Sequence, residues 1–204
     1  MRYNKKKFIY LISPLKIEKN FFKDLNEVLR QKKTSFFQLR LKKGSFKKKF
    51  KIGLKIKKIC KKFNVKFLIN DDVLLAKRLN TDGCHLGQRD MNIIKARRII
   101  GKKIIGITCH NSIKFARVAI KNEADYLAFG AFGVSKTKKA KYRANLRLLK
   151  KIKKITKTPI VAIGGINSKN YKKLLLNKAN FLAISGYIWN NKKLKPINAI
   201  KNIK

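Results

Sequence analysis

Asp71 and Asp90 are the side chains in this sequence best placed, by type and spacing, to hold a divalent cation. With Asp72 and Asp82 they gather four of the chain's nine carboxylates into twenty residues, against 54 Lys and Arg and a formal charge of +45. Mg²⁺ prefers such hard oxygen donors and commonly takes only one or two protein carboxylates, completing its shell with water and phosphate oxygens. Asp72 has a competing role, because it stands where an N-cap would precede a helix over Val73–Leu79. Asn70 is free to bind a ligand through its amide. His85 and His110 would suit a transition metal; near strand ends they are read instead as packed or hydrogen-bonded structural groups.

Other segments call for anions. In Phe37-Gln38-Leu39-Arg40-Leu41-Lys42, strand alternation sends Gln38, Arg40 and Lys42 to one side. A cationic row facing inward is costly unless an anion meets it; the competing register turns the row to solvent. Ala131-Phe132-Gly133-Val134-Ser135-Lys136-Thr137-Lys138-Lys139 mixes small residues, hydroxyls and lysines, as an anion-binding lid would. In Ile163-Gly164-Gly165-Ile166-Asn167-Ser168 and Ile184-Ser185-Gly186, glycines allow backbone N–H groups to approach an oxyanion, and Ser168 is placed to cap the following helix. One cation site, one phosphate cradle and a separate cationic row together fit two phosphorylated ligands. Nothing supplies a Ser–His–Asp set, a Cys nucleophile or a carboxylate acid/base pair, so the chemistry points to electrostatically assisted departure of a leaving group.

These groups need a scaffold that brings strand ends together. Short β-rich runs occur at Phe8–Ser13, Phe36–Arg40, Lys66–Asn70, Gly83–Leu86, Ile104–Thr108, Tyr126–Gly130, Ile160–Ile163 and Phe181–Ser185. Between them lie helical spacings, such as Ile56, Ile59, Cys60 and Phe63, and Tyr171, Leu174 and Leu175. Strand–helix units of about 20 to 30 residues imply parallel strands with crossovers. Eight units close into a (β/α)8 barrel, taken here as a single domain over residues 1–204. A doubly wound open sheet is the alternative, although no GxGxxG follows the first strand. In a barrel, function sits after strands and stability before them. Asp71, Asp72 and Asp90 therefore belong to the mouth, and Asp82 and Asp125 to the opposite face. Adjacent strands lie ~5 Å apart, so Asp71 and Asp90 can share one ion.

Composition narrows the partners. Hydrophobic residues make up 45% of the chain, enough for one core. No apolar run approaches the ~20 residues of a membrane span. The start, MRYNKKKFIYLISP, reads as a first strand rather than a signal peptide, which implies a cytoplasmic protein without a membrane partner. Cys60, Cys84 and Cys109 have neither disulfide parity nor CxxC spacing. The charge would suit nucleic acid, but the lysines are spread along the chain and accompany an excess of Asn, Ile and Phe. Compositional bias on solvated faces is the preferred reading, with a basic nucleic-acid-binding barrel as the alternative. A homo-oligomer is left open.

The segments YLISP, QLRLK, LINDDVLLAKRLNTDGCHLGQRD, IIGITCH, DYLAFG, SKTK, IVAIGGIN and AIS resemble the thiamine phosphate synthase family in order and spacing, across almost the whole chain. The resemblance implies the same barrel, with Mg²⁺ held by Asp71 and Asp90. It implies that Gln38, Leu39, Arg40, Leu41, Lys42 and Asn70 hold an aminopyrimidine diphosphate. Thr108 and Lys138 would contact that substrate, and Arg40, Lys42, Thr108 and Lys138 would serve catalysis. Ser135, Lys136, Thr137, Gly165, Ile184 and Ser185 would bind a thiazole phosphate. The implied reaction expels diphosphate to form a pyrimidine-methyl cation, which the thiazole nitrogen captures. Against the family's habit, Thr108 replaces Ser, Ser135 replaces Thr, Ala131 replaces Pro, and Lys178-Ala179-Asn180-Phe181 lacks a Gly. A thiazole tautomerase relative shares the barrel without the diphosphate site; Lys42, Asp71, Asp90 and Lys138 favour the synthase.

Overall fold

Runs such as Ile9–Ile12 and Tyr126–Gly130 are buried along their whole length, which a strand achieves only when both faces of its sheet are covered. The computed structural model, which describes residues 7–134 and 141–204, shows how. Strands β1 (Ile9–Ile12), β2 (Thr34–Leu39), β3 (Lys66–Asn70), β4 (Gly83–Leu86), β5 (Ile104–His110), β6 (Tyr126–Gly130), β7 (Ile160–Ile163) and β8 (Phe181–Ile184) pair in sequence order as a closed barrel. Every neighbouring pair is parallel, β8 returning to β1. The open sheet is thereby excluded. Around the barrel run α1 (Phe21–Arg30), α2 (Phe46–Lys62), α3 (Val73–Arg78), α4 (Ile93–Ile100), α5 (Ile113–Lys121), α6 (Leu146–Ile155), α7 (Tyr171–Leu176), α8 (Gly186–Trp189) and α9 (Pro196–Lys201). Among the described residues no helix is long and apolar enough to cross a membrane, and the three cysteines are buried and free.

Two cores result. Inside the barrel pack Tyr10, Phe36, Leu68, Tyr126, Val161 and Phe181. Gly106 in β5 admits the Tyr126 ring, since a Cβ there would stand 1.8 Å from it. The outer layer joins the strands' other faces to helix faces that include Leu25, Ile56, Cys60, Leu149 and Leu174. Burying each such large apolar side chain contributes about 1.5–3 kcal/mol. Helix starts are capped by side chains: Ser45, Asp72, Asn92, Ser112 and Asn145 each accept a backbone N–H of the first turn.

The end of the barrel at which the strands begin uses one device three times. Asn80, Glu123 and Lys178 turn the chain out of α3, α5 and α7 at φ 49, 56 and 77. Two residues later, Asp82, Asp125 and Asn180 accept the backbone N–H of Phe67, Ile105 and Ile160 at the start of the preceding strand, each at 2.8–2.9 Å. Lys178 thus takes the left-handed place a Gly would fill, and the Lys178–Phe181 segment matches its two counterparts. Lys66 and Arg97 add ion pairs to Asp82 and Asp125.

Some sequence boundaries shift. β2 begins at Thr34 and ends at Leu39, so Arg40 and Lys42 lie on the following loop rather than in a strand row. β5 continues to His110, past an irregularity between Thr108 and His110. Ser168 does not cap a helix: α7 begins at Tyr171 behind Asn170, whose Oδ1 accepts the Asn167 N–H at 2.9 Å.

Replacing Asp125 with Ala leaves the Ile105 N–H and the Arg97 guanidinium without their carboxylate. The expected loss is about 1–2 kcal/mol of unfolding free energy, read by urea denaturation.

Candidate active site

At the mouth, β3 and β4 set the acidic pair. Asp71 follows β3 at φ 64, a left-handed conformation that Asp tolerates better than most residues. Its N–H donates to the His85 carbonyl on the neighbouring strand at 2.8 Å, which turns its carboxylate toward the mouth, where the Lys42 ammonium pairs with it. Asp90 is held from the other side, its Oδ2 accepting the Gly87 N–H at 2.7 Å. Burial, then the Asp71 carboxylate within hydrogen-bonding reach, raise the Asp90 carboxyl above its ordinary pKa; the Gly87 N–H and Lys42 oppose the rise. Two carboxylates facing each other repel unless a cation stands between them. Asp72, by contrast, is spent on the cap of α3, its Oδ1 accepting from Leu75 N at 2.9 Å.

The pair opens on a cleft of about 460 Å³ lined by Lys42, Asn70, Asp71, Arg89 and Asp90 among others. Gln38 is buried at the end of β2, and its Nε2 donates to Asn70 Oδ1 at 2.8 Å. The inward register is therefore the real one for Gln38. Arg40 is anchored by its N–H on Ser13 Oγ at 2.9 Å. Leu39 and Ile184 bury their side chains in the outer core, so only their backbone can meet a ligand. Among the described residues no group of three or more His, Cys, Asp or Glu forms a metal cluster. The donor set fits a hard dication that completes its shell with ligand and water oxygens, and does not fit a transition-metal cage.

Thr108, on β5, receives a partner that sequence patterning assigned only to structure. His85 Nε2 lies 2.7 Å from Thr108 Oγ1, and His85 Nδ1 lies 2.8 Å from Tyr126 Oη. Burial pushes the His85 pKa down to about 4, partly offset by Asp90, and keeps the ring neutral. Gln88 Nε2 holds the Thr108 carbonyl at 2.5 Å. Ser13 was also missed: it receives Arg40 on its hydroxyl, and its carbonyl accepts Ser185 Oγ at 3.1 Å. Nothing in local sequence marks these pairs, which join strands distant along the chain.

Beyond β6 and β7 the backbones press together. Gly165 at φ 66 leaves no room for a side chain, since a Cβ would stand 2.3 Å from the Gly133 carbonyl carbon. Phe132 N–H lies 3.2 Å from both Ile163 and Gly164 carbonyls. This close approach and Ser185 lie just after β6, β7 and β8, at the end where such barrels commonly bind phosphate. Ser135, Lys136, Thr137 and Lys138 lie outside the described residues. A larger cavity of about 530 Å³ opens at the opposite end, but three of its four lysines are committed: Lys57 to the Leu79 carbonyl, Lys66 to Asp82, Lys103 to Asn80 and Thr81.

Comparison with known proteins finds relatives of one family. A family model described as thiamine monophosphate synthase matches residues 9–188. A thiamine-phosphate synthase of Pelagibacter ubique is 69% identical across the whole of both chains. One from Erythrobacter litoralis is 37% identical, over 94% of this chain and 92% of its own. The structure of a thiamine phosphate pyrophosphorylase from Pyrococcus furiosus superposes with a TM-score of 0.85 at 27% identity, covering 98% of this chain and 94% of that one.

The His85 ring makes stability depend on pH in a defined window. Its pKa falls on folding from 6.5 to about 4, so its neutral form is favoured in the native state. That contribution is complete above pH 6.5 and is lost as pH falls toward 4. The stability gap between wild type and His85→Gln, measured by urea midpoints, should narrow across this window as pH drops.

Proposed function

The chain belongs to the thiamine monophosphate synthase family, and on that premise we propose that it joins an aminopyrimidine diphosphate to a thiazole phosphate with release of pyrophosphate. The observation that carries this reading is the Asp71–Asp90 pair beside Lys42. Two carboxylates brought within reach of each other are an expensive arrangement, and it becomes useful when a metal-bound diphosphate sits above them.

Gln38 and Asn70, bonded to each other, present a fixed amide pair against which the pyrimidine ring can be oriented. Arg40 and Lys42 lie on the loop after β2, at the mouth, where a diphosphate would enter. Lys42 and Arg40 would meet the negative charge that grows on the leaving oxygens as the carbon–oxygen bond lengthens, placing stabilisation where charge develops. Bound to Asp71 and Asp90, Mg²⁺ would neutralise further charge on that diphosphate. Lys42, paired here with Asp71, would be available to the diphosphate if a dication took over that carboxylate. Thr108 contacts the pyrimidine from β5. The Gly133–Gly165 contact and Ser185 form the far wall, where the thiazole phosphate binds through backbone N–H groups and a hydroxyl. Ser135, Lys136, Thr137 and Lys138 are assigned to the two phosphate groups by their place in the family's motif. Exclusion of water from the mouth would protect the pyrimidine-methyl cation from capture.

Purified protein with both substrates should release pyrophosphate in the presence of Mg²⁺ and none after chelation. A tautomerase or a nucleic-acid-binding barrel would release none in either condition. Asp71→Asn should cut turnover by about 10²–10³-fold, as loss of transition-state charge stabilisation does, while keeping wild-type circular dichroism. Mg²⁺ should raise the melting temperature of the wild type without substrate, and this shift should vanish in Asp71→Asn. An unchanged turnover in that variant removes the metal assignment.

A further inference from the structure

Tyr10, Tyr126, His85 and Thr108 form one hydrogen-bonded line from the middle of the barrel to its mouth. Tyr10 Oη lies 2.7 Å from Tyr126 Oη, which lies 2.8 Å from His85 Nδ1, and His85 Nε2 lies 2.7 Å from Thr108 Oγ1. The first three residues are 1%, 2% and 7% exposed. The Tyr126 ring fits only because position 106 lacks a Cβ, and it stacks on His85 with 12° between planes.

Counting hydrogens gives the line a direction. Each hydroxyl has one hydrogen to donate, and a neutral imidazole has one N–H. If Tyr10 donates to Tyr126, Tyr126 donates to His85 Nδ1 and His85 Nε2–H donates to Thr108. Every buried hydrogen is then used, and the Thr108 hydroxyl hydrogen is left for the mouth. If the line runs the other way, Thr108 spends its hydrogen on His85 and the Tyr10 hydrogen is buried without an acceptor among the described residues. A doubly protonated ring leaves the same orphan. An unsatisfied buried donor costs more than a hydrogen bond gains, so the first arrangement wins.

We infer that Tyr126 is a positioning residue, holding His85 as its Nε2–H tautomer so that Thr108 donates its hydroxyl hydrogen to an acceptor atom of the bound pyrimidine. The identity of that ligand rests on the synthase reading; the direction of the line does not. Tyr126 never touches substrate. It acts by occupying the His85 Nδ1 lone pair, which orients the ring and sharpens its Nε2–H as a donor. Thr108 then discriminates for ligands that offer an acceptor where a donor would find only the remaining lone pair.

The test is ¹⁵N–¹H correlation spectroscopy of the imidazole rings in ligand-free protein at pH 7, with His110→Asn identifying the His85 signals. The wild type should show a protonated, pyrrole-type Nε2 and a hydrogen-bonded, pyridine-type Nδ1. Tyr10→Phe should leave this pattern in place. Tyr126→Phe should move the Nδ1 signal to that of an unbonded pyridine-type nitrogen. In the same variant the KM for the pyrimidine diphosphate should rise about fivefold, the value of one weakened hydrogen bond, with the KM for thiazole phosphate unchanged. A protonated Nδ1 in the wild type, or an Nδ1 signal unmoved in Tyr126→Phe, overturns the inference. If Tyr126→Phe does not fold, the wild-type and Tyr10→Phe spectra still decide the direction. A protein that shows this tautomer yet releases no pyrophosphate would refute the proposed function and leave the hydrogen-bonded line intact.

Discussion

Two carboxylates held side by side at one rim are the constraint that orders the rest of this molecule. Like charges at such range destabilise a ligand-free protein, and here burial adds to the repulsion felt by Asp90. The arrangement survives because each acid is pinned by backbone rather than by its own preference. Asp71 is fixed through its N–H on β4 and Asp90 through the Gly87 N–H. Lys42 sits on Asp71 as an internal counterion. The site is thus loaded before anything binds.

The barrel separates this unfavourable work from the work of staying folded. At the end opposite the mouth, Asp82, Asp125 and Asn180 each satisfy an N–H of the preceding strand, tying β3 to β4, β5 to β6 and β7 to β8. Those side chains satisfy backbone groups of the native state, whereas the Asp90 carboxylate is held against burial and a neighbouring like charge. Acids of the same type therefore do different work according to which end of a strand they occupy. The first strand pair is joined differently, by a backbone bond from Ile9 N–H to the Lys33 carbonyl.

Much of this was legible in the residues. All eight strands stand out because each is a short apolar run between polar helix ends, and several bounds coincide with the structure. The exceptions have physical causes. Thr34 and Ser35 look like turn residues, yet Thr34 is buried in β2 because the closed sheet extends past the apolar run. Asp72 was readable as a cap from its position alone, whereas Ser168 was not a cap because the chain makes a further Asn167–Asn170 turn before α7. The mouth acids were visible from spacing plus the rule that function follows strands. His85 was the site's least legible member. Its meaning depends on Tyr126, 41 positions away, and only closure with a specific register brings the two rings together.

The surface charge gives the solvent a structural part to play. Among the described residues three ion pairs form, at Lys42, Lys66 and Arg97, in a chain with 54 basic and 9 acidic side chains. Folding draws the remaining cations closer together than the extended polymer holds them, and the resulting repulsion acts over a Debye length of about 8–10 Å in ordinary electrolyte. Dissolved anions that gather around the barrel relieve that repulsion. The native state is in this sense a salt whose smaller ions come from the medium, and dilution of the electrolyte loosens it without touching a single internal contact.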